Sequence, residues 1–362
     1  MTKDLLKEQL IEYGTKLGFG LIRVTSSDPL KLWDCQIRIR REQDPDSTRL
    51  WNNMEHDPKE IMPEARSIVV ALWPHTPYKA NFPKGIGRCS AYYKEYPKGR
   101  QAAYKLGGFL KQAGYKIVVQ PNLPAKEIAH RAGIGYFGKN ALIHTQEYGS
   151  WISLHYILTD APLTPDTGMD SISDCGDCDL CMRACPTEAI VKEGQVIPSK
   201  CIRHHMLSSD FVPVDIREKM GGRILGCDIC QMVCPFNKKG MLEAGLPSPE
   251  EMELFNIKDI LKEWPTGLKN RMNNMGELIG KNYARAQKVL SMAVILAGNS
   301  KDESYMPYLI PLLKHPHPPI RGHSAWAIGE IKAHGFRNIL KEALIEEKDE
   351  RVRKEIYRVI DY

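Results

Sequence analysis

Apolar positions in the first 160 residues switch between two periods. Leu6, Leu10, Tyr13 and Leu17 recur at helical spacing with Lys and Glu on the opposite side, and Gly18 supplies a stop. Runs rich in β-branched and aromatic residues follow: Phe19–Val24, Ser67–Trp73, Tyr115–Val119 and Ser150–Leu158. Helical patterns lie between them, as over Arg100–Ala113, which Gly114 closes. This alternation predicts an α/β domain over residues 1–164. A Pro/Asp-rich connector, TDAPLTPDTGMD, leads into a cysteine-dense segment placed at 165–245. Residues 246–362 then read as almost pure helix.

The helical tail repeats itself. AVILAG at Ala293 and SAWAIG at Ser324 lie 31 positions apart, and IRGHSAWAI is echoed as VRKEIYRVI 32 positions after Ile320. Small and apolar residues at that period predict stacked helix pairs of the HEAT type. An irregular helical bundle is the plainer alternative. The whole is an α+β multidomain chain with a helical C-terminal domain.

Composition narrows the setting. The 362 residues are 43% hydrophobic and 26% charged, with a formal net charge of +6, which permits a polyanionic partner without requiring one. No run approaches a membrane span, and the amphipathic first helix lacks the apolar core of a leader peptide. A cytoplasmic, monomeric protein is expected.

The chemistry is concentrated in CGDCDLCMRACP, where Cys175, Cys178, Cys181 and Cys185 fall within eleven residues and Pro186 follows. C-x2-C-x2-C-x3-C-P is the bacterial iron–sulfur spacing, in which the fourth cysteine serves a different cluster from the first three. Downstream stand Cys227, Cys230 and Cys234 in CDICQMVCP, with Cys201 between the two runs. The swap rule assigns Cys175, Cys178, Cys181 and Cys234 to one [4Fe–4S] cluster, and Cys185, Cys201, Cys227 and Cys230 to the other. Two zinc sites are the competing reading, disfavoured by both Cys-Pro ends. Cys35 and Cys89 remain. The other dense signal, HRAGIGYFGKNALI from His130 to Ile143, is neither a dinucleotide fingerprint nor a P-loop, and its glycines suit close backbone approach to a flat ligand or a neighbouring strand.

Taken together, AGIGYFGKN, YGSWISLHYILTDAPL, the two cysteine runs around KCI, and IRGHSAWAIG in the tail resemble the epoxyqueuosine reductases, in the same order over nearly the whole chain. The resemblance implies a cobalamin in the α/β domain, two [4Fe–4S] clusters beside it, and a tail that helps grip a tRNA anticodon stem-loop. It implies an external electron donor such as flavodoxin or ferredoxin. It also implies corrin contacts at Arg88, Cys89, Ser90, Val119, Ile143, His144, Thr145, Ser150, Leu154 and Gly226. No protein histidine is implied on cobalt, and the D-x-H-x-x-G motif of histidine-ligated corrinoid proteins is absent, with Ile128 where its Asp would stand.

The family's proton-donating Asp aligns with Val119, and its Asp-Tyr-His reads Glu95-Tyr96-Pro97 here. Cys89, Tyr92, Tyr96 and Glu127 are the candidate replacements. Three functional readings follow: an epoxyqueuosine reductase with a substituted acid, a paralogue reducing another substrate as reductive dehalogenases do, or an electron donor that reactivates another corrinoid protein. Arg285, Lys288, Arg321, Arg351, Arg353 and Lys354 are candidate phosphate contacts, with a solvated repeat face as the alternative. His204, His205, His315 and His317 read as structural or solvating residues rather than ligands.

Overall fold

A computed structural model describes residues 3–32, 42, 44–45, 54–169, 174–206 and 208–361. Cys35 lies outside them. The chain divides into two compact units. One joins Met1–Pro77, Lys94–Ser199 and Asp228–Ala244, and the other joins Tyr78–Tyr93, Lys200–Cys227 and Gly245–Tyr362. The sequence predicts three consecutive domains instead. Within the cysteine segment the helices Leu180–Ala184, Ile229–Met232 and Lys238–Leu242 bury none of their residues, whereas Ile202, Ile216 and Met220 are buried in the helical core.

The first unit is built on a four-stranded sheet of Leu21–Ser26 (β1), Ser67–Pro74 (β2), Ile117–Val119 (β3) and Ile152–Thr159 (β4), in the order β1-β2-β4-β3. Every neighbouring pair is antiparallel, with Ser67 opposite Thr159, Pro74 opposite Ile152, and Val119 opposite Ile157. Strand alternation gives the sheet two apolar faces. Val69, Ala71 and Ile157 pack with Leu6 and Leu10 of helix α1 (Lys3–Lys16) and with Leu106 and Leu110 of α2 (Ala91–Gln112). On the other face Ile68, Val70, Leu72 and Leu158 pack with Ile128 and Ala129 of α3 (Ala125–Arg131). All four strand runs expected from the sequence are present, shifted by about two residues at their starts except β2. The predicted Arg100–Ala113 helix begins earlier, at Ala91, because Pro97 falls within α2 without ending it.

The second unit is helical. Val214–Met220 (α4), Ala286–Ser300 (α5), Pro318–Ile331 (α6) and Glu350–Ile360 (α7) share one apolar core that includes Met220, Leu290, Trp326 and Ile356. The repeated small residues have a packing role. A β-carbon on Gly298 of α5 would stand 2.8 Å from the Cα of Ala327 in α6, and Gly329 of α6 meets Val359 of α7 in the same way. Close helix approach therefore needs a glycine at each repeat. Among the described residues no helix is long and apolar enough to cross a membrane.

Candidate iron–sulfur site

Cys175, Cys178, Cys181 and Cys234 line one pocket of the first unit, together with Asn140, His144 and Phe236. The local chain explains how they meet. The Cys178 amide donates to the Cys175 carbonyl at 3.1 Å, a turn that points both thiols one way. The helix Leu180–Ala184 then adds Cys181, and Cys234 arrives after Ile229–Met232 with its amide bonded to the Gln231 carbonyl at 3.1 Å. Burial, followed by the neighbouring Cys175 and Cys234, pushes the Cys181 thiol up to about 11, and burial also raises Cys234. Thiols such as Cys181 and Cys234, held protonated by burial, become metal ligands only as thiolates, which a strongly positive occupant such as iron favours. The C-x2-C-x2-C-x3-C-P spacing remains the ground for a cluster rather than zinc. Of the other four cysteines, Cys185 and Cys230 belong to this unit and Cys201 and Cys227 to the second. Cys185 is already dressed for sulfur chemistry, accepting the Ala189 amide at 3.3 Å.

The glycine run shapes the wall of this pocket. Gly135 lies against the His144 carbonyl and Gly138 against the His144 ring, so any side chain at either would collide with the short strand Ile143–His144. Of the two roles expected for these glycines, the structure shows close approach of a neighbouring strand. His144 is buried, and its Nε2 faces the Asn140 Oδ1 at 3.1 Å while its Nδ1 stands 3.8 Å from the Cys234 sulfur. Burial pushes it down to about 4. Tyr136, beside it, is pushed up to about 12 by burial and by nearby Asp174 and Cys175.

The remaining positions fall into separate places. Thr145 closes a tight turn, its amide bonded to the Gly149 carbonyl at 2.9 Å and its hydroxyl accepting the Tyr148 amide at 3.0 Å. Ser150 donates its amide to Asn237 Oδ1 at 2.7 Å, and its hydroxyl donates to Gln231 Oε1 at 3.1 Å. Ile143 is buried and Leu154 half-buried in the α3-side core. Val119 turns into the α2-side core against Gly107. In the second unit Arg88 donates to the Tyr78 and Lys79 carbonyls at 2.9 Å each, and Cys89 is buried in the helical core beside a short parallel pairing with Leu225. The Ser90 amide bonds to the Leu225 carbonyl at 2.8 Å, and Gly226 sits so close to Ser90 and Tyr93 that a β-carbon would stand 2.6 and 2.8 Å from them. Tyr92 packs edge-on to Tyr93. Glu127 accepts the Leu32 amide at 3.0 Å.

The histidine best placed by sequence to ligate a corrin cobalt, His130, is consumed: its Nδ1 lies 3.1 Å from the Gly135 carbonyl and its ring packs on Phe137. In the tail, Arg321 forks onto Glu347 at 2.7 and 2.8 Å, and Arg353 donates to the Leu344 and Glu347 carbonyls at 3.1 Å each, so both hold the repeat together. Arg351 bonds Asp349 and reaches Asp210 at 3.3 Å. Burial and then Arg285 lower Lys288.

Two features escaped the sequence. Asn237, fully buried three residues past Cys234, donates to the Ser150 hydroxyl at 2.9 Å and to the Gln231 carbonyl at 2.8 Å, tying the last cysteine to the wall after the glycine run. The run Cys-Pro-Phe-Asn was the available signal. The second is a polar group on the α2 face of the sheet, formed by Tyr96, Gln120, Ser153 and His155. Nothing in the spacing of those four residues announces it.

Comparison with known proteins agrees with this geometry. Residues 174–237 match the 4Fe-4S double cluster binding domain, and residues 282–361 match HEAT repeats. An epoxyqueuosine reductase of Bacillus subtilis is 32% identical over 98% of this chain and 95% of its own length. One of Vibrio cholerae is 29% identical over 91% and 93%. A crystal structure of epoxyqueuosine reductase with an epoxyqueuosine-modified tRNA-Tyr stem loop superposes with a TM-score of 0.84 at 29% identity, covering 99% of each chain. Another, of the selenomethionine-labelled enzyme, gives 0.88 with the same identity and coverage.

Proposed function

From its membership of the epoxyqueuosine reductase family, to which this chain belongs, we propose that it reduces epoxyqueuosine to queuosine in tRNA, using two [4Fe–4S] clusters and a cobalamin. The single observation that carries this reading is the four-cysteine pocket built within a chain that matches those reductases from end to end. Converting the epoxide to an alkene consumes two electrons and two protons and releases the oxygen as water. A low-potential one-electron donor of the flavodoxin or ferredoxin class supplies the electrons to the clusters. When bound, cobalamin contributes a strongly reducing cobalt centre that accepts them one at a time.

The protein's own residues divide the remaining work. Cys175, Cys178, Cys181 and Cys234 hold one cluster, and Cys185, Cys201, Cys227 and Cys230 the other. The segments Arg88–Ser90 and Ile143–Thr145, with Ser150, Leu154 and Gly226, would hold the corrin. On the helical tail Arg285, Lys288, Arg351 and Lys354 would meet tRNA phosphates, whereas Arg321 and Arg353 brace the repeat. The relative crystallised with a modified tRNA stem loop supports that partner.

Anaerobic protein loaded with cobalamin, a strong reductant and epoxyqueuosine-bearing tRNA tests the reading. Mass spectrometry of the digested tRNA should show the modified nucleoside losing one oxygen. Unchanged epoxyqueuosine, with the clusters fully occupied and cobalt cycling on reduction, would assign the chain to another substrate.

A further inference from the structure

We infer that Gln120 and His155 form a positioning pair that holds the Tyr96 phenol as the proton donor of the reductive step, in place of the acid that Val119 cannot supply. This rests on the reduction proposed above. The backbone makes the arrangement. Strand β3 ends at Val119, and Gln120 adopts a left-handed φ of 51° while its amide stays bonded to the Tyr156 carbonyl of β4 at 2.8 Å. That one left-handed residue brings the Gln120 amide to the α2 face. Its Nε2 stands 3.2 Å from the Tyr96 hydroxyl oxygen and 3.1 Å from His155 Nδ1. The other nitrogen of His155 lies 2.9 Å from the Ser153 hydroxyl, and the ring tilts against Tyr96 with centroids 5.1 Å apart. Both His155 and Ser153 are buried, and Gly99 of α2 abuts the imidazole so closely that no side chain fits there.

The bond directions follow from counting donors. In this orientation both amide hydrogens of Gln120 have acceptors, and only its Oε1 lacks a partner among the described residues. The reverse orientation would orphan two buried N–H groups instead of one oxygen, at greater cost. His155 is therefore neutral, with its proton on Nε2 toward Ser153. Burial, helped by the positive charge of Arg100, pushes it down to about 3. The other ionisable groups around it are committed elsewhere. Glu95 accepts from the Trp73 indole at 3.2 Å and from Lys98 at 2.8 Å, and the Tyr156 phenol donates toward the Pro121 and Leu123 carbonyls.

An N–H donated to the phenolic oxygen of Tyr96 stabilises the phenolate and makes the phenol a better acid. Tyr96 passes its proton to the epoxide oxygen as the first C–O bond breaks, and the phenolate is reprotonated from water. The second proton, with the second of the two electrons from the low-potential donor, accompanies loss of that oxygen as water. The other candidates are placed for different work. Val119 packs into the core, the Glu127 carboxylate caps the Leu32 amide, and Cys89 and Tyr92 belong to the apolar core of the second unit.

The test uses the full chain with clusters and cobalamin loaded, in two arms. In the first, turnover of epoxyqueuosine-tRNA across a pH series should fall on the order of 10²–10⁴-fold in Tyr96→Phe, with iron content and cobalamin binding retained. Gln120→Leu should lose about tenfold, with its basic limb moved to higher pH. His155→Leu should follow Gln120→Leu, whereas His155→Asn, which keeps an acceptor near the Nδ1 position, should restore most of the rate. The second arm needs no substrate: ultraviolet difference titration, with Tyr96→Phe as the blank, should show Tyr96 ionising at higher pH in Gln120→Leu than in the parent. Parent-like turnover by Tyr96→Phe, or an unmoved ionisation in Gln120→Leu, would overturn the inference. A parent that leaves epoxyqueuosine unchanged would remove the proposed substrate, and the titration would still decide whether the pair tunes Tyr96.

Discussion

Two buried histidines, one in each unit, show how differently the same side chain is used. His323 on α6 accepts the Val212 amide on Nε2 at 3.0 Å, so its proton lies on Nδ1, which donates to the Ser291 hydroxyl at 2.7 Å. Beside it Arg217 of α4 forks onto Glu355 of α7 at 3.0 and 2.9 Å, donates to the Val212 carbonyl at 2.6 Å and lies over Trp326. Every polar atom of Arg217 and His323 named here is committed to another part of the same unit. His155 is equally buried and equally neutral, yet its partner Gln120 keeps an oxygen without a partner among the described residues and leads to a phenol. Closed networks of buried polar groups fix a fold, and a network with an open end is where chemistry is worth seeking.

The comparison can be broken most forcefully at Arg217. Arg217→Met leaves the Glu355 carboxylate only its longer contact with Arg358 at 3.4 Å and should cost about 3–5 kcal/mol in denaturant unfolding. A small loss would mean that the pair is a bystander. Next, His323→Leu should cost about 1–3 kcal/mol because the Val212 amide is left unpaired, with turnover per folded molecule unchanged. His155→Leu should do the reverse, altering turnover more than stability. If both histidines behave alike, the distinction between closed and open networks fails.

Acid sharpens the same contrast. Burial and the nearby Arg217 charge hold His323 well below the ordinary histidine value of 6.5. The unfolded chain therefore binds a proton that the folded chain refuses. The stabilisation is full above about pH 6.5 and is lost as the pH falls below it. Unfolding midpoints measured down to pH 5 should decline less in His323→Asn than in the parent. The smallest effect concerns the tail. Lys354→Glu should weaken tRNA binding and flatten its salt dependence by about one unit of slope, whereas Arg321→Gln should change stability more than the slope.

Much of this was legible because the physics is local. Strand and helix periods in β2 and α1, the repeat of small residues at Gly298 and Gly329, and the spacing of Cys175, Cys178 and Cys181 each need only neighbouring residues to be read. What stayed hidden depends on distant contacts. Val119 aligned with an acid, but only the sheet reveals that it faces α2 and that the next residue carries the polar group. His144 reads from sequence as a corrin contact, and its approach to Cys234 spans 90 positions. The cysteine motif is contiguous in sequence, yet Cys185 and Cys230 fall in one compact unit and Cys201 and Cys227 in the other, a division that no local spacing announces.

The central claim is a double-cluster reductase with exchanged ligands, and iron counting on three proteins tests it most directly. Reconstituted parent should hold about eight irons, and Cys181→Ser and Cys201→Ser about four each, with the surviving cluster differing between the two in its paramagnetic resonance signal. Eight irons in Cys201→Ser, or the same surviving signal in both variants, would contradict the account.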